Sequence, residues 1–422
     1  MRRAFFGLTM MLAACSGGEQ TATVKADPAP PDTLTKLRNE LTAAVIAAEA
    51  SCSAAWLERS VEPPCARFPR RALLDSAQAW MMTDATLASV AAAAIREPNG
   101  DLRALHGRLL LERVLRDAAD SAGVVTLAKA LKYPDTPAML SDLHGFDIRA
   151  TASAAARALS ASEGLYLVAR TDVAVAAADV DALTATSFTA AGNSDLARSL
   201  VNMLRPGREA PTTSLIKNAT ESAAEPFFIT PSSQRVIAAD VAGAEDLANV
   251  SRAFARASHR TVVGSADAAM ELMGGYIAGS VLGTPDWLTQ ASQIPEPALT
   301  RVIRAQAYRA IENARADAAR VVDMLAQYDG APTISDASDP YMFSAVRFRG
   351  RLLAAEVTAQ LVNSYGASWW QWPESAAVLT KILDAPTSDA LLASLGHELT
   401  SDAFLVVCAR ALARGEPIVT LQ

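Results

Sequence analysis

The sequence predicts an all-α protein, a multi-helix bundle in two packed helical halves, and three observations carry that reading. Hydrophobic residues make up 51% of the 422 residues while aromatics reach only 6%. The small apolar residue Ala fills much of the difference, and it has the highest intrinsic helix propensity and lets helices approach closely. Apolar positions also recur at three- and four-residue spacing in stretch after stretch, the period of one helical face. Runs with strand character, such as Leu165-Tyr166-Leu167-Val168 and Thr261-Val262-Val263, are too few to specify a sheet.

The chain opens on Met1-Arg2-Arg3, an apolar run from Ala4 to Met11, and Leu12-Ala13-Ala14-Cys15. A membrane-spanning helix needs about 20 apolar residues. This run is half that length and is followed at once by Ser16-Gly17-Gly18-Glu19-Gln20, so it reads as a lipoprotein signal peptide over 1–14. Cleavage would leave Cys15 as the lipidated first residue, anchored by several acyl chains at about 0.8 kcal/mol per buried methylene. Ser16, in place of an acidic residue, favours the outer over the inner membrane. The expected location is the periplasmic side of the bacterial envelope, with the membrane, through its lipid, as one partner and envelope proteins as others.

Removing Arg2 and Arg3 with the signal makes the formal charge of −7 more negative by two. An acidic surface argues against nucleic acid and against electrostatic attachment to anionic lipid. Once Cys15 is assigned to lipid, Cys52, Cys65 and Cys408 remain. The periplasm permits a disulfide, so Cys52 and Cys65 are read as a pair closing a short loop worth roughly 3 kcal/mol on the chain-entropy model. Cys408, inside Phe404-Leu405-Val406-Val407, reads as a buried thiol.

Residues 15–31 form a flexible tether ending Asp27-Pro28-Ala29-Pro30-Pro31. The N-terminal helical bundle, 32–205, begins with a helix capped by Asp32 or Thr33, whose Leu34, Leu37, Leu41, Ala44, Ala48 and Cys52 share one face. Glu62-Pro63-Pro64 breaks it, and helices follow at about 71–95, 102–121, 125–132, 136–143, 147–162, 173–190 and 194–204. Residues 206–233, with Pro206, Pro211, Pro226 and Pro231 in a polar stretch of little periodicity, read as a Pro-rich linker. The C-terminal bundle, 234–422, carries helices at about 234–257, 266–282, 298–327, 341–365, 375–384, 387–395 and 398–414. Gly274, Gly275, Gly279 and Gly283 make one of these smooth for close packing.

Catalytic signatures are sparse. His106, His144, His259 and His397 show neither His-x-x-x-His nor Glu-x-x-His spacing, and no Gly-x-Ser-x-Gly elbow occurs. Two features suit binding: Trp369-Trp370-Gln371-Trp372, which gathers half of the six Trp residues, and Glu163 near the end of an apolar helix. The Trp segment reads first as a plug closing one end of the bundle and second as a partner platform.

The segment Ala158-Leu159-Ser160-Ala161-Ser162-Glu163, preceded by Tyr133-Pro134-Asp135 and by Ala79-Trp80, resembles the imelysin family of all-helical periplasmic proteins and lipoproteins, whose motif is Gly-x-His-x-x-Glu. Ala158 stands where that motif has Gly, Ser160 where it has His, and Glu163 matches. The resemblance implies a degenerate, binding-type member associated with iron acquisition, with iron or another metal as the implied cofactor. The sequence therefore points to a non-catalytic, envelope-anchored binding or scaffolding protein, the alternative being a metal-dependent hydrolase using dispersed His and carboxylates.

Overall fold

A computed structural model describes residues 133–173, 184–206, 211–216, 224–230, 232–259, 267–291, 294–331, 339–396 and 398–414, with isolated positions between 43 and 57 and between 124 and 129. Among them run eleven α-helices: α1 (Thr136–His144), α2 (Ile148–Asp172), α3 (Ala190–Leu204), α4 (Ala244–His259), α5 (Ala268–Leu282), α6 (Pro285–Ala291), α7 (Glu296–Tyr328), α8 (Phe343–Tyr365), α9 (Pro373–Leu383), α10 (Ser388–Leu395) and α11 (Asp402–Leu412). The chain is thus a mainly all-α, multi-helix protein. None of these helices is long and apolar enough to cross a membrane. The expected signal, the tether, Cys15, Cys52 and Cys65 lie outside the described residues.

Local chemistry sets the helix ends. Asp135 caps α1 by accepting the Ala138 N–H at 2.7 Å, and Asp147 caps α2 through Ala150 at 3.0 Å. Thr387 does the same for α10 through Ala390 at 3.1 Å. Gly145 and Gly396, both with φ of 80°, close α1 and α10 in the left-handed conformation that glycine adopts without penalty.

The longest helix, α7, is the axis of the bundle. Leu299, Ile303, Ala307, Ala314, Ala318 and Val321 are buried along one face, with Val302, Ala305, Ile311 and Met324 widening it. α2, α8 and α11 pack around it, α5 lies against α8, and α4 lies between α3 and α5. One hydrophobic cluster runs from Leu140 and Ala155 through Phe254 and Met273 to Leu352 and Phe404. The described helices before and after the expected linker therefore share a core.

Small residues permit the closest approaches. A β-carbon on Gly350 of α8 would stand 3.0 Å from the Ala269 carbonyl oxygen of α5, and one on Gly275 would stand 3.2 Å from the carbonyl oxygen of Arg252 on α4. The glycines of α5 are packing residues, as their spacing predicts.

Residues 206–233 differ from the linker expected. They hold β1 (Thr212–Ile216) and β2 (Ala224–Thr230), and β3 (Ser233–Ala239) occupies the start of the expected 234–257 helix, which begins only at Ala244. The order is β1-β3-β2, with β1 parallel and β2 antiparallel to β3. Pro226 breaks a helix but not an edge strand, where a missing N–H leaves no central ladder bond unmade. On β3, Val236, Ile237, Ala238 and Ala239 are all buried, and α4 covers the sheet. Leu165-Tyr166-Leu167-Val168, strand-like in composition, lies inside α2.

Candidate functional site

Glu163 stands on α2, half-exposed, and pairs with Arg315 of α7. The arginine is held from three further sides. One terminal nitrogen donates to the Leu159 carbonyl and to the Ser162 hydroxyl, each at 2.7 Å. The guanidinium carbon lies 4.8 Å from the ring centre of Tyr166, in cation–π range. Tyr166 is itself stacked on Tyr308 at 6.4 Å, and the Tyr308 hydroxyl donates to Glu312 at 2.8 Å. Arg315 is consequently fixed in direction while 18% of its side chain stays in solvent.

Beside it opens a small pocket between α2, α7, α8 and α11 whose empty volume, counting its mouth, is ≈ 260 Å³. Ala158, Ile311, Phe348, Leu352 and Phe404 give it apolar walls, and Ser162, Arg315 and Ser401 supply its polar groups. Ser401 precedes α11 yet its side chain makes no capping bond. The three positions aligned with the imelysin motif are thus distributed: Ala158 lines the pocket, Ser160 is exposed and donates to the Ala156 carbonyl at 3.5 Å, and Glu163 meets Arg315. Arg315, Tyr166 and Ser401 were not marked as candidates by sequence. The only trace of Arg315 is a cation next to the buried stripe of α7, a pattern shared with Arg304 and Arg320.

The tryptophans divide. Trp369 and Trp370 are 1% and 4% exposed and join the core, so neither ring presents its face to solvent. Aromatic area of this size is most stable when removed from water. Trp372 alone is 53% exposed. The segment is pinned by Ser375, whose hydroxyl donates to the Trp372 carbonyl at 2.8 Å, and by Ser368, which donates to Asp286 at 2.6 Å.

The buried charges serve other ends. Arg349 of α8, 2% exposed, donates to Ser388 at 2.6 Å and to Thr151 at 3.2 Å, pairs with Asp389, and lies 4.8 Å from the Phe146 ring centre. Near it Asp267, fully buried, caps α5 through Ala269 at 2.9 Å and accepts the Ser388 N–H at 2.6 Å. Burial pushes the Asp267 carboxyl above its usual range, against its hydrogen bonds and the Arg349 charge. Asp317 of α7 receives Arg347 at 2.8 Å and Arg351 at 3.2 Å, joining α7 to α8.

His144, at the end of α1, donates from Nε2 to the Tyr341 carbonyl at 2.6 Å and is packed by Phe146 and Phe343. Burial lowers its pKa, and the bond to Tyr341 and the charge of Asp339 only partly oppose this. The contact secures a strained turn: Met342 has φ of 52°, a left-handed conformation costly for a side chain of its size. Cys408 is buried and free, and burial pushes its thiol up to about 12. His259 meets Arg205 at 3.2 Å, and His106 and His397 lie outside the described residues. Among the described residues no three of His, Cys, Asp and Glu come together as a metal-holding group.

No family model matches the chain, and no curated protein matches it. Among solved structures it is similar to Trypanosoma cruzi metallocarboxypeptidase 1, at 10% identity over 90% of this chain and 99% of that one, with a TM-score of 0.44. It is also similar to the Pyrococcus furiosus carboxypeptidase in its apo-Mg structure, at 10% identity over 91% and 99%, with a TM-score of 0.45. Likeness of this degree carries neither fold nor chemistry across.

Proposed function

We propose that this chain is a helical binding or scaffolding lipoprotein of the bacterial envelope, tethered through Cys15 and making its contacts from the Arg315–Glu163 face. The observation that carries the binding half of the reading is a contrast between charges. Arg349, Asp267, Asp317 and His144 each join helices or hold a turn in the interior. Arg315 is oriented as firmly as they are, yet it stands at the surface over a pocket. A guanidinium held in place loses little conformational entropy when a ligand arrives, so its position favours recognition.

The order Arg2-Arg3, apolar run, Leu12-Ala13-Ala14-Cys15 supports the tether. The imelysin resemblance supports a role beside iron acquisition. Arg315 already neutralises Glu163, the residue that matches the family motif, so that role is better served by a partner than by a cation held on Glu163.

Fractionation tests the reading. The wild-type chain is expected in the membrane fraction and Cys15→Ala in the soluble fraction. Wild-type protein found soluble in the periplasm or cytoplasm would overturn the tether, and stoichiometric metal accompanied by hydrolytic activity would overturn the non-catalytic role.

A further inference from the structure

We infer that His144 is an acid-sensitive latch: a proton taken up by its ring frees the end of α1 and the turn at 339–342, opening the junction of α1 with α8 while the rest of the bundle stays folded. The inference goes beyond the binding role proposed above and depends neither on the Arg315 face nor on the tether.

The latch is a cluster in the interior. His144 is 1% exposed, and its bond to the Tyr341 carbonyl joins α1 to the entry of α8 across 197 residues of chain. A carbonyl only accepts, so Nε2 carries the proton and Nδ1 the lone pair. Phe146 and Phe343 pack the ring with centroids 5.8 and 5.7 Å away. A proton on Nδ1 would enter these apolar surroundings, and among the described residues no hydrogen bond reaches that atom. A buried donor without an acceptor loses its hydration uncompensated, and this one carries charge as well.

The charges around the ring do not offset this. Asp339 is the carboxylate that acts on it, but its oxygens already accept the Phe343 and Ser344 N–H groups at 3.0 and 2.7 Å, and Arg347 draws on the same charge. Arg349 of α8, with Asp389 and Asp267 beside it, lies 4.8 Å from the centre of the Phe146 ring and sets a like charge against the far side of the cluster. On α1 itself Asp142 accepts the Tyr133 hydroxyl at 3.0 Å, and Asp147 caps α2. Tyr328 of α7, which donates to the Pro340 carbonyl, is kept neutral by burial. The turn itself is poised to relax: Met342 is left-handed at the start of α8 and gives that helix no side-chain cap. Release of Tyr341 therefore opens a local unit below the cost of global unfolding.

Hydrogen exchange of the full chain in detergent, followed by mass spectrometry at pH 7.5 and 5.5 and corrected for the intrinsic pH dependence of exchange, tests this. A histidine free in the open form titrates at about 6.5, so opening of peptides from α1 and from 339–346 is expected to rise about tenfold between the two pH values. Peptides from α4 and from the middle of α7 are expected to keep their protection. His144→Gln, whose amide can still donate to the Tyr341 carbonyl but does not titrate, is expected to remove the pH dependence. The comparison of regions is made within the wild-type chain and holds whether or not that variant folds. No rise at α1 and 339–346, an equal rise in α4 and α7, or the same rise in His144→Gln overturns the proposal.

Discussion

The carboxylate of Asp267 accepts the backbone N–H of Ser388 at 2.6 Å, joining the start of α5 to the start of α10 across 121 residues of chain. The same Ser388 receives Arg349 through its hydroxyl, so one buried arginine and one buried carboxylate hold three helices and, through Thr151, a fourth. Removing one member of a buried charge set leaves the other without compensation. Arg349→Met is expected to cost about 3–5 kcal/mol in urea unfolding. Arg315→Met, at the surface, is expected to cost about 1 kcal/mol.

His144 gives the fold a pH dependence of definite sign. Its folded pKa lies below the unfolded value, so the unfolded chain binds more protons and stability falls as pH drops through about 6.5. Asp267, raised by burial, acts in the opposite sense, contributing most below its unfolded pKa and less as pH rises through its folded one. Comparing wild type with His144→Gln at pH 7.5 and 5.5 cancels the Asp267 contribution. The wild-type chain is expected to lose more stability over that interval, by up to about 1.4 kcal/mol per pH unit.

Gly350 lies where α8 touches the backbone of α5. Gly350→Ala is expected to destabilise by about 1–3 kcal/mol through overpacking, although alanine favours helix. Gly164, around which a β-carbon would meet nothing within 4 Å, is the control. Gly164→Ala is expected to be neutral or slightly stabilising.

Trp369 and Trp372 separate plug from platform. Trp369→Ala is expected to cost about 3–5 kcal/mol, as a buried aromatic does. Trp372→Ala should leave unfolding unchanged, and pull-down from envelope extracts checks whether it carries a contact.

The helices were legible because their burial is periodic: the stripe from Leu299 to Val321 can be read directly from spacing. The sheet was not, because β1 to β3 are only five to seven residues long and Val236-Ile237-Ala238-Ala239 is a continuous apolar run. A run of that kind fits a covered strand or a buried helix equally well. Of the site, Glu163 was legible as a carboxylate on an apolar helix, while Arg315, 152 residues further along, has no sequence mark that distinguishes it from other arginines of α7. Burial of Trp369 and Trp370 depends on which helices surround them, which local pattern does not encode.

The proposed lipid tether at Cys15 is checked by intact-mass measurement of the protein extracted from membranes. The expected product is a chain lacking residues 1–14 and heavier than the remaining sequence by a diacylglyceryl group and a further acyl chain on Cys15. A chain that retains Met1, or begins at Cys15 without added mass, would contradict it.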